Sequence, residues 1–130
     1  MLSELTQAVI IELTTPNDRS RTYVPWWLNT DDGLNATMHD VANNGADGGY
    51  HGFTYYTETT AFYDAHENAI WDALYNDAAN LGQTPMQMIA SFATADQITD
   101  ALTFKNALAW YALERAAIEW EWAADDAAIA

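Results

Sequence analysis

The sequence predicts an all-α, compact single-domain helical bundle over residues 1–130, and three observations predict it. Apolar residues recur three and four positions apart over several stretches, as they do along one face of a helix. Those stretches begin near Thr or Asp and end in Gly, Pro or Asn-Asn-Gly, the residues that cap and stop helices. Half of the 130 residues are apolar and seventeen are Trp, Tyr or Phe, enough surface to offset chain entropy around one core.

The first stripe is Leu2, Leu5, Val9 and Leu13, although Ala8-Val9-Ile10-Ile11 is also compatible with a strand. Thr14-Thr15-Pro16-Asn17-Asp18 breaks it. Residues 19–29, with Pro25 inside an aromatic run, read as a short extended segment or a turn of helix. Thr30 or Asp31 caps a second helix whose apolar face is Leu34, Met38, Val41 and Ala42, stopped by Asn43-Asn44-Gly45. A Gly-rich loop follows, with Gly45, Gly48, Gly49 and Gly52 in eight residues.

From Thr57 or Thr60 to about Asn80 the spacing predicts a long helix with Phe62, His66, Ala69, Ile70, Ala73, Leu74 and Leu81 on its apolar stripe and Gly82 as its stop. Thr84-Pro85 opens a short helix through Met86, Ile89 and Phe92. Thr94 and Gln97 have the spacing of a capping box, and helix is favoured from there to about Ala124, with a break near Thr103.

Charge restricts function more than any motif does. Nineteen acids oppose four bases, for a net charge of −15. The bases are Arg19, Arg21, Lys105 and Arg115, so residues 22–104 hold eleven acids and no Lys or Arg. Such a surface repels nucleic acid and draws in basic grooves, with strong salt dependence. The absence of cysteine excludes disulfides and thiolate metal sites. Met1-Leu2-Ser3-Glu4 lacks the positive charge of a signal peptide, and no apolar run approaches the roughly 18 residues of a membrane helix, so a cytoplasmic protein is expected.

Sites of catalysis are not evident. His66-Glu67 opens a zinc-protease pattern, but Ile70 stands where the second histidine belongs. Asp47-Gly48-Gly49 lacks the alternating oxygens of a calcium loop. Ser3, Ser20 and Ser91 lie in no Gly-x-Ser-x-Gly turn. The Gly-rich loop has no neighbouring base to hold phosphate, and its structural reading, a tight connection that lets Tyr50, Phe53, Tyr55 and Tyr56 pack, is the stronger one. The expectation is no catalytic residue, no metal and no cofactor; a hydrolase using His51 and nearby acids is the weakest of three alternatives.

What remains is rows of acids. Asp64, Glu67, Asp72 and Asp77 share the long helix, and Glu114, Glu121 and Asp125 project within a narrow sector near the C-terminus. Acids three or four residues apart on a helix stand roughly 5–6 Å from one another. Several such rows can imitate duplex DNA, with about one charge per 1.7 Å of axis. A solvated face or a halophilic source also explains acids. The aromatics favour binding, because Trp is enriched at interface hot spots and the five residues Trp26, Trp27, Trp110, Trp120 and Trp122 are hard to bury together. The expected partner-binding residues are therefore Asp64, Glu67, Asp72, Asp77, Glu114, Glu121 and Asp125, with Trp120 and Trp122 as anchors.

The run Val41-Ala42-Asn43-Asn44-Gly45-Ala46-Asp47-Gly48-Gly49-Tyr50-His51-Gly52-Phe53-Thr54-Tyr55-Tyr56-Thr57, then Thr60-Ala61-Phe62-Tyr63, resembles the central motif of an uncharacterised family of small phage and prophage proteins. Asn106-Ala107-Leu108-Ala109-Trp110-Tyr111-Ala112-Leu113-Glu114 resembles the family's C-terminal helix. The resemblance spans residues 34–118, implies a phage setting and brings no catalytic residues. Family members carry more Lys and Arg in the long helix, so the acidity is a departure. In composition alone the chain also resembles acidic anti-restriction and anti-CRISPR inhibitors. The leading expectation is an acidic phage inhibitor that binds a basic, nucleic-acid-binding host protein, with no direct nucleic acid or membrane contact and a homodimer left open. The alternative is a phage structural or assembly module that binds through aromatics.

Overall fold

The structure, a computed structural model, describes residues 2–15, 28, 30–44, 59–90 and 100–129. These form five helices and no strand: α1 (Glu4–Thr14), α2 (Asp31–Asn44), α3 (Thr59–Leu81), α4 (Pro85–Met88) and α5 (Ala101–Ile129). The expected all-α fold is what these residues adopt. The aromatic segment at 19–27, the Gly45–Gly52 loop with His51, and the capping box at 94–97 lie outside the described residues.

α5 organises the others. Ala107, Leu108, Ala109, Tyr111, Ala112, Leu113, Ala116 and Ala117 are all buried, so this stretch is covered nearly all round, as an apolar helix at the centre of a bundle must be. Its alanines let neighbouring backbones come close, and α1, α2 and α3 each pack directly against it. The expected break near Thr103 does not occur: α5 is continuous from Ala101 and runs past Ala124 to Ile129. One threonine disfavours helix by only about 0.7 kcal/mol at most. Packing on three sides outweighs that.

In α1 the Ser3 hydroxyl accepts from the Thr6 N–H and caps the first turn. Leu5, Val9 and Leu13 are buried on one face while Ile11 stands exposed, so the i, i+4 stripe and not the strand alternative describes residues 8–11. Thr30 caps α2 by accepting from the Gly33 N–H at 3.1 Å, and Leu34, Met38 and Val41 fill the core as their spacing indicates. Asp31 and Asp32 occupy the first turn of α2, where the helix dipole favours negative charge.

α3 buries Phe62, Ile70 and Leu74 completely. Its backbone leaves helical geometry at His66 (φ −128°, ψ 21°), whose ring lies 4.7 Å from that of Phe62. The helix stops at Gly82 in the left-handed region (φ 67°), and the Gln83 N–H closes onto the Ala78 carbonyl at 2.9 Å. Leu81 corrects the sequence reading. It continues the stripe of Leu74 and Ala78, yet it is 65% exposed, because that face runs past the packed core onto an open groove.

α4 is a single turn opened by a capping box. The Thr84 hydroxyl accepts from the Gln87 N–H, and the Gln87 side chain accepts from the Thr84 N–H. It ends at Met88, short of the Phe92 that its pattern suggests, with Ile89 buried as its C-cap.

Candidate functional site

Two bases decide how the acids are arranged. Lys105 Nζ lies 2.7 Å from Asp64 Oδ1, and Arg115, farther along α5, reaches Asp77, farther along α3. The two helices therefore run side by side in the same sense. Both described basic side chains are thus paired with carboxylates. The hydrogen bond to Asp64 raises the Lys105 pKa, its slight loss of hydration notwithstanding.

Arg115 is the centre of a half-buried network. Its Nε donates to Asp77 Oδ2 at 2.7 Å and its Nη1 to Glu119 Oε2 at 3.0 Å, the second pair at i, i+4 spacing. Tyr111 donates its hydroxyl to the same Asp77 oxygen. Glu119 in turn accepts from the Ser3 backbone N–H, the Ser3 hydroxyl at 2.8 Å and the Thr6 hydroxyl at 3.0 Å, which ties the start of α1 to α5. Burial opposes the charge of Arg115, but the bond to Asp77 and the field of Asp77 and Glu119 outweigh it and raise its pKa. Burial first, then the bond to Asp77, pushes the Tyr111 phenol far above its ordinary 10.0. Tyr111 is neutral and a donor at any physiological pH.

Burial pushes the Glu119 carboxyl up, but the Ser3 N–H, the Ser3 and Thr6 hydroxyls and the Arg115 charge outweigh it and hold it below its ordinary 4.5. A carboxylate whose folded pKa is depressed stabilises the fold above its unfolded pKa and loses that contribution as pH falls through the folded one. The stability advantage of the wild type over Glu119→Gln is therefore expected to be full at pH 6 and to shrink below about pH 4.5. Urea unfolding of both proteins between pH 6 and pH 3 measures it, and a pH-independent difference would contradict the assignment.

The residues expected to meet a partner separate into groups. Asp64, Glu67 and Asp72 are exposed along α3. Asp77, expected from sequence as a partner-binding acid, is held in the network around Arg115. Glu121 is half-buried with Oε1 3.2 Å from His39 Nδ1, and Trp120 donates from Nε1 to Asn35 Oδ1 at 2.8 Å, so both fasten α5 to α2. Glu114 is half-buried, Trp122 is 66% exposed, and Asp125 lies on α5 with its side chain outside the described residues. Trp26 and Trp27 also lie outside them.

Asp77, Glu114 and Trp122, from two helices, meet at one feature. A groove of about 590 Å³ runs between the last turns of α3 and the middle of α5. Leu81, Met88, Ile118 and Trp122 supply its apolar surface, and Asp77, Glu114, Arg115 and Glu119 its charge. Sequence reasoning missed Ser3, Thr6, Tyr111, Arg115 and Glu119. The i, i+4 spacing of Arg115 and Glu119 was the available signal; nothing local announces the long-range partners Ser3 and Asp77.

Among the described residues no three His, Asp or Glu side chains come together as a metal-holding group, and no helix is long and apolar enough to cross a membrane. No curated protein and no solved structure matches the chain. A family model does, over residues 17–124, a span that contains both motifs of the resemblance noted above and both walls of the groove, and by that match the chain belongs to the family described as a domain of unknown function, DUF7222.

Proposed function

We propose that this chain is a phage-encoded inhibitor that occupies the basic, nucleic-acid-binding surface of a host defence protein, such as a CRISPR or restriction component, in the cytoplasm of the infected cell. The observation that carries the reading is the state of the charges. Lys105 and Arg115 are consumed in pairs with Asp64, Asp77 and Glu119, while Asp31, Asp32, Glu67 and Asp72 stand exposed on α2 and α3. Carboxylates on helices have their backbone spacing fixed before binding, so only side-chain rotamers are ordered when a partner arrives. The phage setting rests on the motif resemblance.

Affinity capture from host lysate at low and high salt tests it. Nucleic-acid-binding proteins are expected at low salt, lost at high salt and lost with Glu67→Lys/Asp72→Lys, exposed positions outside the Arg115 network, although Glu67 adds to the negative field at Lys105. Capture indifferent to salt and to both reversals would overturn it. A second reading, an assembly module that binds through aromatics, is favoured by the exposure of Trp122. It predicts the reverse pattern: insensitivity to salt and loss with Trp122→Ser.

A further inference from the structure

We infer that the groove between α3 and α5 is the seat of a cationic amphipathic helix supplied by the partner. This rests on the reading of the chain as a binder of basic proteins, and names the surface and the kind of segment it takes.

The shape comes from the helices. On α5 the lining positions are 111, 114, 115, 118, 119 and 122, the i, i+3, i+4, i+7, i+8, i+11 series of one helix face. From Tyr111 to Trp122 that face is about 16 Å long, three turns of an α-helix. On α3 the opposite wall is its last turns, where the apolar stripe continues into exposed Leu81. Two helices that present adjoining faces with a trough between them offer the ridges against which a third helix packs. A volume of about 590 Å³ is within the roughly 300–1,000 Å³ of binding clefts.

The chemistry selects the occupant. Three carboxylates against one guanidinium leave the lining negative. The C-terminus of α3, which carries partial negative charge, ends at this groove with no basic residue in its last turn. An apolar stripe flanked by Lys or Arg would lay its aliphatic side chains on Leu81, Ile118 and Trp122 and its cations beside Glu114 and the end of α3. The sequence offers no matching helix: residues 22–104 carry no base, and the aromatic run after Arg19 and Arg21 is interrupted by Pro25, which a helix interior does not hold. A second copy would bring another −15 of charge against the first.

The test uses the full chain and a synthetic peptide of about twelve residues, leucines on one helical face and lysines flanking them. Its counterparts carry Glu or Gln in place of Lys. Calorimetry is expected to show binding of the lysine peptide, none of the Glu peptide, and at least a roughly ten-fold weakening with Leu81→Ser/Trp122→Ser. Both side chains are exposed, so the double variant retains its fold, which circular dichroism checks. Asp31→Asn/Asp32→Asn, on α2 and away from the groove, is expected to weaken binding less than three-fold. Four results would overturn the inference, the last of them no binding of the lysine peptide. The first is a Gln peptide that binds as well as the lysine peptide. The second is a concentration-dependent dimer of the free chain that Leu81→Ser/Trp122→Ser abolishes. The third is lysine-peptide binding that is indifferent to Leu81→Ser/Trp122→Ser and lost with Asp31→Asn/Asp32→Asn; it leaves the charge-based function standing and removes only the groove. No binding of the lysine peptide overturns the groove, and the lysate capture then decides the function separately.

Discussion

Phe62→Ala is expected to destabilise the protein by about 3–5 kcal/mol, the cost of removing a buried aromatic ring and leaving a cavity. Phe62 has no exposed surface and stands in the first turn of α3, just before the non-helical backbone at His66. That interruption sets residues 59–65 off from the rest of α3. The position of the first turn depends on Phe62 being clamped in the core, with the His66 ring against it. A loss of this size is a large part of the 5–15 kcal/mol typical of a domain. Urea unfolding should show a lower midpoint, whereas Leu81→Ala, at an exposed position, should stay within about 0.5 kcal/mol of wild type. A Phe62→Ala loss below about 1 kcal/mol would mean that the turn is held by something other than its ring.

The contrast between Phe62 and Leu81 marks how far a stripe of apolar residues can be read. Both belong to the helical pattern of residues 59–81, and periodicity gives them equal weight. Periodicity tells which face of a helix is apolar; it does not tell where the neighbouring helix ends. Leu81 continues the face beyond the cover that α5 and α4 provide, and so lies open at the groove. The same limit applies to charge. Spacing along α3 offered Asp64 and Asp77 alike as acids for a partner, but each faces a base on α5 that lies more than thirty residues away in sequence. Local signals were legible: the stop at Gly82, the Thr30 cap, and Pro85 opening α4 all act within one or two turns. The capping box of Thr84 and Gln87 is equally local, its two residues three positions apart. Spacing does not separate Trp120 from Trp122: Trp120 turns toward α2 and bonds Asn35, whereas Trp122 stands exposed.

Arg115→Met tests whether the acidic chain tolerates loss of its internal cation. The substitution retains most of the side-chain stem and removes the donors that satisfy Asp77 and Glu119. Removing one partner of a fully buried pair costs about 3–5 kcal/mol, because the remaining charge is stranded. Here all three side chains are about a fifth exposed, so water recovers part of that, and about 2–3 kcal/mol is expected. For a domain of this size the midpoint of thermal unfolding should fall by roughly 10 °C. Salt should restore part of the loss, since two carboxylates left side by side repel through a partly wet path. Asp77→Asn in the Arg115→Met background should also restore part of it, and the double-mutant cycle should return a coupling of about 1–2 kcal/mol between the pair. Coupling near zero would mean that Asp77 is held by Tyr111 alone and that Arg115 serves the groove instead of the fold. The distinction matters for the binding surface. If Arg115 holds Asp77 and Glu119 in place, the negative lining of the groove is rigid before a partner arrives, and the charges it presents cost no ordering when they are used.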